Sequence, residues 1–342
     1  MSPLTSAIFG CEGPVLTSWE EGFFRETRPW GYIIFGRNVE SRDQLRRLCD
    51  DLRAASDDPD ALVFVDQEGG PVARLKTPLF RHPPAPRLFA ELYRTDPEAA
   101  EEAMWLNALL MAEDMRRVGI NANCAPMLDV VRPDAHEFLQ RRALGDDIES
   151  VETLGKAMAL GLRNGGVVPC IKHAPGHGAA DCDSHFNLPH VTLSKDELER
   201  TDFAPFKALL KEPMLMTSHI VYPAIDPDHP ATQSAAILQG LIRGDWGYDG
   251  LILSDDLNMK ALGGSMEERC SLALDAGVDI LCHCNGEAPD MQAVARAARP
   301  LDGVAADRAK RARSFAAEDP KPFDREAAEQ RLRALSLFEV AA

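Results

Sequence analysis

The stretch ALVFVDQEGG, residues 61–70, sets five apolar residues directly before Asp66, Gln67 and Glu68. A short apolar run rich in β-branched and aromatic residues, closed by glycines, reads as a buried strand. The polar side chains gathered at its C-terminal end are what set it apart, and the same layout recurs along the chain. The runs SAIFGCEG (6–13), GYIIFGRN (31–38), INANCAPMLDV (120–130), VVPCIKHAPG (167–176), MLMTSHIVY (214–222), LILSDDL (251–257) and DILCHCNG (279–286) bring the number of candidate strands to eight. Asp129 follows NCAPML, Lys172 and His173 follow VVPCI, His219 follows MLMTS, Asp255 and Asp256 follow LILS, and Asn285 follows ILCHC. The strand starts carry no comparable charge.

Helix-like segments lie between these runs, over 40–55, 96–117, 148–164, 195–211, 232–243, 265–277 and 287–298. Thr17 with Glu20, Ser194 with Glu197 and Ser265 with Glu268 fit the capping box that opens a helix. Eight β-then-α units over roughly 300 residues predict an α/β fold, a single (β/α)8 barrel of the TIM type. The C-terminal ends of parallel barrel strands converge on one face, and that face carries the active site. A doubly wound open sheet is the alternative, but no GxGxxG follows an early strand. With no linker and no repeat of 20–50 residues, the expectation is one catalytic domain over 1–342, with a C-terminal helical tail from about 305 to 342. Within that tail AEDPKPFDREA (317–327) reads as a loop before a last helix over 325–336.

Of the 342 residues 45% are hydrophobic, enough for a sizeable core, and the net charge of −17 argues against nucleic acid as a partner. No run approaches 18 uninterrupted apolar residues, so no membrane partner is expected. MSPLTSAIFGCEGPVL has neither a basic n-region nor a long apolar core, which predicts a cytoplasmic protein. The eight cysteines are scattered, with no CxxC pair, and read as reduced buried thiols. In CHC, 282–284, alternation sends His283 to the opposite side from the two cysteines, which suits core packing better than a metal site.

Chemistry concentrates in KHAPGHGAADCDSH, residues 172–185. His173, His177, His185 and Asp183 could supply metal ligands. However, the first H-x3-H crosses Pro175 and Gly176, so it is no helical pair, and Lys172 would repel a cation. Neither metal nor cofactor is expected. Asp183 and His185 share a side in an extended loop, where the carboxylate can fix the imidazole tautomer and stabilise the imidazolium; a merely loop-stabilising Asp–His bond is the alternative. Asp255, ending an apolar strand, is the candidate nucleophile. A helix cap is its competing role, and Asp256 suits that cap better. Asp66, Arg74, Arg142, Lys172 and His173 near strand ends suit paired hydrogen bonds to sugar hydroxyls, although any one could be a surface ion pair.

KHAPGHGAADCDSH resembles the K-H-x-P-G-H-G-x4-D-S-H signature of glycoside hydrolase family 3 β-N-acetylglucosaminidases. ILSDDLNMKAL (252–262) is similar to that family's nucleophile segment, and VDQEGGPVARL, RNVESRDQLRRL, APMLDV and LDAGVDILCHCNG extend the likeness over roughly residues 6–300. The resemblance implies a metal-free (β/α)8 barrel and a retaining exo-β-N-acetylglucosaminidase with Asp255 as nucleophile, His185 as acid/base and Asp183 as its partner. It also implies that Asp66, Arg74, Arg142, Lys172 and His173 hold the sugar. Arg142 aligns as the sugar ligand within RRALGDD (141–147), where Leu144 replaces the family's more usual aromatic. The implied substrate is a muropeptide, N-acetylglucosamine β-linked to 1,6-anhydro-N-acetylmuramic acid with or without peptide, turned over in peptidoglycan recycling by a monomer or weak dimer. A phosphorylase or another family 3 glycosidase is the alternative; a metal-dependent barrel hydrolase and a non-catalytic sugar-binding protein stand further off.

Overall fold

The computed structural model describes residues 3–132, 137–179 and 188–337. Among them, eight parallel strands close into a barrel: β1 (Thr5–Gly10), β2 (Pro29–Ile34), β3 (Leu62–Val65), β4 (Ala122–Asn123), β5 (Val168–Ala174), β6 (Met214–Thr217), β7 (Leu251–Asp256) and β8 (Ile280–His283). Each strand pairs with its sequence neighbours, and β8 returns to β1 through Ala7 opposite Leu281. This is the predicted (β/α)8 architecture.

Strand alternation sorts the core into two layers. Ile8, Ile33, Phe64, Ala122, Cys170, Met216, Leu253 and Cys282 belong to one buried cluster drawn from all eight strands, which is the barrel interior. Phe9, Val63, Val65, Ile171, Leu215, Ile252 and Leu281, at the intervening positions, pack against the surrounding helices. The helix Gly303–Ala316 adds Ala309 and Ala312 to the interior cluster beside Trp30, at the N-terminal end of the strands. Its Arg313 bonds the Trp30 carbonyl and pairs with Asp58, fastening the helix across that mouth. His283 stands apart from the cysteines on either side of it, edge-on to Phe9, while the Cys282 and Cys284 sulfurs lie 3.7 Å apart. Seven of the eight cysteines are free and buried; Cys182 lies outside the described residues.

Two elements depart from expectation in ways that matter for the site. The run 120–130 is a ladder strand only at Ala122–Asn123, since Pro126 has no N–H to give. It nevertheless stays beside β5: the Leu128 amide donates to the Lys172 carbonyl at 2.7 Å, and the Lys172 amide donates to that of Pro126 at 3.1 Å. Asp129 is thereby carried alongside His173. Further on, the expected helix 195–211 is two pieces, Lys195–Arg200 and Ala204–Ala208, the second opening around Pro205. Among the described residues no helix is long and apolar enough to cross a membrane.

All three expected capping boxes are present, at Thr17, Ser194 and Ser265. At the first, the Glu20 side chain accepts the Thr17 amide at 2.8 Å and also the Glu12 amide at 2.8 Å, tying the loop after β1 to the helix Ser18–Thr27. Thr17→Ala is expected to remove about 1 kcal/mol of stability. Glu20→Ala should remove about 2–3 kcal/mol, because the buried carboxylate of Glu20 accepts two backbone amides at once. Urea unfolding of both variants checks this, and equal losses would contradict the second role of Glu20.

Candidate active site

The C-terminal end of β3 turns directly into a short hairpin, Gln67–Gly69 against Val72–Ala73. Buried Gln67 ties it together. Its Nε2 donates to the Leu75 carbonyl at 2.7 Å, and its Oε1 accepts the Arg74 and Leu75 amides at 2.8 and 3.0 Å. The hairpin thus returns Arg74 to the end of its own strand, with Nη2 3.4 Å from Asp66 Oδ2.

Beneath Arg74 lies a buried network of charge. Lys172, at the end of β5, places Nζ 2.8 Å from Asp66 Oδ1 and 2.8 Å from Glu68 Oε1. Glu68 also accepts both Nε and Nη2 of Arg142, at 2.9 and 2.8 Å, in the paired geometry that suits guanidinium and carboxylate. Side-chain exposure is only 4% for Lys172 and 2% for Glu68, so these charges interact with little solvent screening. Burial alone would push Glu68 up, but Arg142 and Lys172 hold it far below the usual carboxylate range. Burial likewise opposes the Lys172 charge, and Asp66 and Glu68 overcome it, keeping Lys172 well above the ordinary lysine value. Asp66 is lowered in the same contest, against burial, by Lys172 and Arg74.

Alongside, Asp129 accepts His173 Nδ1 at 2.7 Å and the His177 amide at 2.6 Å. The first bond sets His173 Nδ1 against Asp129 and turns Nε2 away from it. Burial works to raise Asp129, yet the His173 charge and hydrogen bond bring it below its usual value. Burial lowers His177.

Asp255 ends β7 in the alternating register of Leu251 and Leu253, both in the barrel interior. Its Oδ1 accepts the Asp256 amide at 2.8 Å. Burial tends to raise it, but His173, His219 and Lys172 act together to keep it below the usual carboxylate value. Asp256 moves the other way, up to about 6, through burial and the charge of Asp255. It caps no helix, contrary to expectation. Its carboxylate accepts the Asn258 and Cys284 amides, both at 3.2 Å, joining the ends of β7 and β8. The next helix, Met266–Ala276, is capped by Ser265 instead. His219 donates Nε2–H to the Asp256 carbonyl at 3.0 Å and meets Thr232 through Nδ1 at 2.8 Å. Burial lowers its pKa.

Six of the eight residues singled out by sequence therefore meet at one end of the barrel: Asp66, Arg74, Arg142, Lys172 and His173, with Asp255 in the field of the last two. Asp183 and His185 lie outside the described residues. Glu68, Asp129 and His219 stood at strand ends in the sequence without being given roles. The signal for Glu68 was its place two residues after Asp66; for Asp129 and His219 nothing local distinguished a supporting role from a surface one. Among the described residues no group of three or more His, Cys, Asp or Glu is placed to hold a metal ion.

Removing one partner from the network leaves buried charge unpaired, so Glu68→Gln should lose about 3–5 kcal/mol of stability. Glu68 is depressed on folding, so its contribution is full above the unfolded carboxylate value of about 4.3 and is lost only as pH falls through the lower folded value. Lys172 is raised, so its contribution is full below about 10.4 and is lost as pH rises through the folded value. The stability gap between wild type and Glu68→Gln should thus stay level from roughly pH 5 to 10 and narrow in acid. Urea unfolding across that range measures it, and a gap that swings between pH 6 and 9 would contradict the network.

Residues 29–312 match the family described as glycosyl hydrolase family 3 N terminal domain. A protein named beta-hexosaminidase from Alkalilimnicola ehrlichii is 37% identical over 282 residues, 81% of this chain and 80% of the relative. The crystal structure of native NagZ from Neisseria gonorrhoeae superimposes with a TM-score of 0.84 at 29% identity, covering 98% of this chain and 97% of that one. The same protein in complex with N-trifluoroacetyl-D-glucosamine gives 0.83 at 30% identity, covering 98% of this chain and 96% of that one. The chain belongs to glycosyl hydrolase family 3, among the glycoside hydrolases of the beta-hexosaminidase group.

Proposed function

We propose that this enzyme removes terminal β-linked N-acetylglucosamine from cell-wall muropeptides by a retaining, covalent mechanism, in cytoplasmic peptidoglycan recycling. The observation that carries the reading is Asp255: a carboxylate at the end of β7, held ionised by His173, His219 and Lys172 at the mouth of a charge-lined barrel. Support for the sugar comes from the relative bound to an N-acylated glucosamine. Asp66, Arg74, Arg142, Lys172 and His173 hold the sugar hydroxyls in this proposal. Asp66 engages Lys172 closely through one oxygen and Arg74 only at 3.4 Å through the other, so it can accept a hydroxyl.

Asp255 attacks the anomeric carbon as the bond to the leaving oxygen breaks. His185, oriented by Asp183, gives its proton to that oxygen. In the second step His185 takes a proton from water, which displaces Asp255, and two inversions give retention. The acceptor is water, so the sugar product is N-acetylglucosamine whether or not inorganic phosphate is present.

Asp255→Asn is expected to lower turnover of an aryl N-acetyl-β-glucosaminide on the order of 10^4-fold or more; near-wild-type rates would remove Asp255 from the nucleophile role. His185→Ala should slow a poor leaving group by roughly 10^2–10^4-fold, while an activated aryl leaving group, which needs no proton, loses far less. Equal losses on both substrates would take the acid role away from His185.

A further inference from the structure

Arg142 and Arg74 reach the same charge network and are held there by different means. Arg142 is buried and gives Nε and Nη2 to Glu68 at 2.9 and 2.8 Å, so its charge is matched and two of its donors are taken. Arg74 is held more loosely. Its Nη2 lies 3.4 Å from Asp66 Oδ2, longer than a usual N–H···O bond, and Asp66 is drawn to Lys172 through its other oxygen at 2.8 Å. The buried Arg74 Nε has no hydrogen-bond partner among the described residues.

The Arg74 guanidinium lies over the ring of Phe35, with Cζ 5.3 Å from the ring centroid. Phe35 follows β2 directly, at the same end of the barrel as Asp66. The turn Gly36–Asn38 fixes its backbone: the Phe35 amide donates to Asn38 Oδ1 at 2.8 Å, and its carbonyl accepts the Asn38 amide at 2.9 Å. Asn38 is fully buried, and its Nδ2 donates to the Cys11 and Gly13 carbonyls at 3.2 and 2.8 Å. Arg37 also lies over the ring, 5.0 Å from the centroid, but it donates Nε to the Cys11 carbonyl at 3.0 Å and Nη2 to that of Cys284. The ring is thus anchored to the ends of β1, β2 and β8 independently of Arg74.

That contact differs in kind from an ion pair. The negative face of an aromatic ring attracts a cation and so fixes where the guanidinium sits. It carries no charge, so the arginine stays cationic without a carboxylate taking up its N–H donors. A group that must meet sugar hydroxyls needs both a fixed place and free donors. We infer that Phe35 is a positioning residue: its ring holds the Arg74 guanidinium beside Asp66 and leaves its donors to the sugar hydroxyls. This rests on Arg74 being a sugar ligand in the proposed function.

Phe35→Leu keeps an apolar side chain against the interior cluster and removes the aromatic face. On an aryl N-acetyl-β-glucosaminide kcat/KM should fall roughly three- to tenfold, mostly through KM, since hydroxyl contacts are made in ground and transition state alike. Phe35→Tyr keeps the face and should stay within about twofold of wild type. Arg74→Ala should itself cost roughly tenfold or more, and in that background Phe35→Leu should change kcat/KM by less than about twofold. A side chain that merely fills space would cost as much there as in wild type. That result, wild-type kinetics for Phe35→Leu, or an equal loss for Phe35→Tyr overturns the inference. Phe35→Met, which also lacks a ring, repeats the cycle if the leucine variant does not fold. Arg74→Ala alone separates the two readings. If kcat/KM survives it, the sugar-ligand assignment is wrong and the positioning role falls with it. If kcat/KM drops and the two losses simply multiply, only the positioning role fails.

Discussion

The ammonium of Lys172, lodged between Asp66 and Glu68, is the contact on which the rest of the site depends. It joins the ends of β3 and β5 across the one strand between them, β4, and through Glu68 it draws in Arg142 from the segment after β4. A lone lysine at 4% exposure would give up its charge. Two carboxylates reverse that, and each of them stays ionised because the lysine is there. None of the three charged states is self-supporting, so the network is stable only as a set. Its members divide by how fully they are engaged. Glu68 accepts a bidentate guanidinium and an ammonium and has little left to offer a ligand. Asp66 keeps one oxygen only loosely engaged, and among the described residues the Arg74 guanidinium makes that long contact to Asp66 and lies over the Phe35 ring at 5.3 Å. The inner members hold the outer ones in place.

Asp255 and Asp256 show how far surroundings separate identical side chains. They are consecutive on one strand, so the pleat sends them to opposite faces. Asp255 meets His173, His219 and Lys172 and drops below the ordinary carboxylate value. Asp256 meets the edge of β8, accepts two backbone amides and still rises to about 6, because burial and the neighbouring charge outweigh them. Under the proposed function Asp255 must be ionised before it attacks, and its charge is supported by the His173 and His219 side chains and by the Lys172 ammonium. Nothing needs to move to create that field, which is the condition under which electrostatic stabilisation is largest.

Much of this was legible in the sequence, for a physical reason. Barrel strands are buried on both faces, so their apolar runs are dense, and their carboxyl ends face one mouth, so polarity gathers there. Runs such as ALVFV–DQE and LILS–DD therefore expose both the fold and the site. Supporting residues were less visible. Glu68 and Asp129 matter because of partners 74 and 44 positions away, and no local pattern encodes such a pairing. Asp256 was misjudged for the same reason: its competing partner, the Cys284 amide, is 28 positions distant. Gly176 and Gly178 sit where the Asp202 and Val130 backbone leaves no room for a Cβ, which no local pattern shows either.

The charges around Asp255 sit near strand ends, buried and mutually locked, and under the proposed function they hold the sugar. Under the proposed function the proton carrier is His185, outside that set. That separation constrains the chemistry the carrier can have. A third carboxylate brought toward Asp255 and Asp256 would meet like charge, be pushed toward its neutral form and weaken the field that keeps Asp255 ionised. An imidazole arrives neutral or cationic, exchanges protons near neutral pH and adds no negative charge. On this reasoning the choice of histidine follows from the charges the barrel has already fixed: whatever group gives the proton has to be compatible with them.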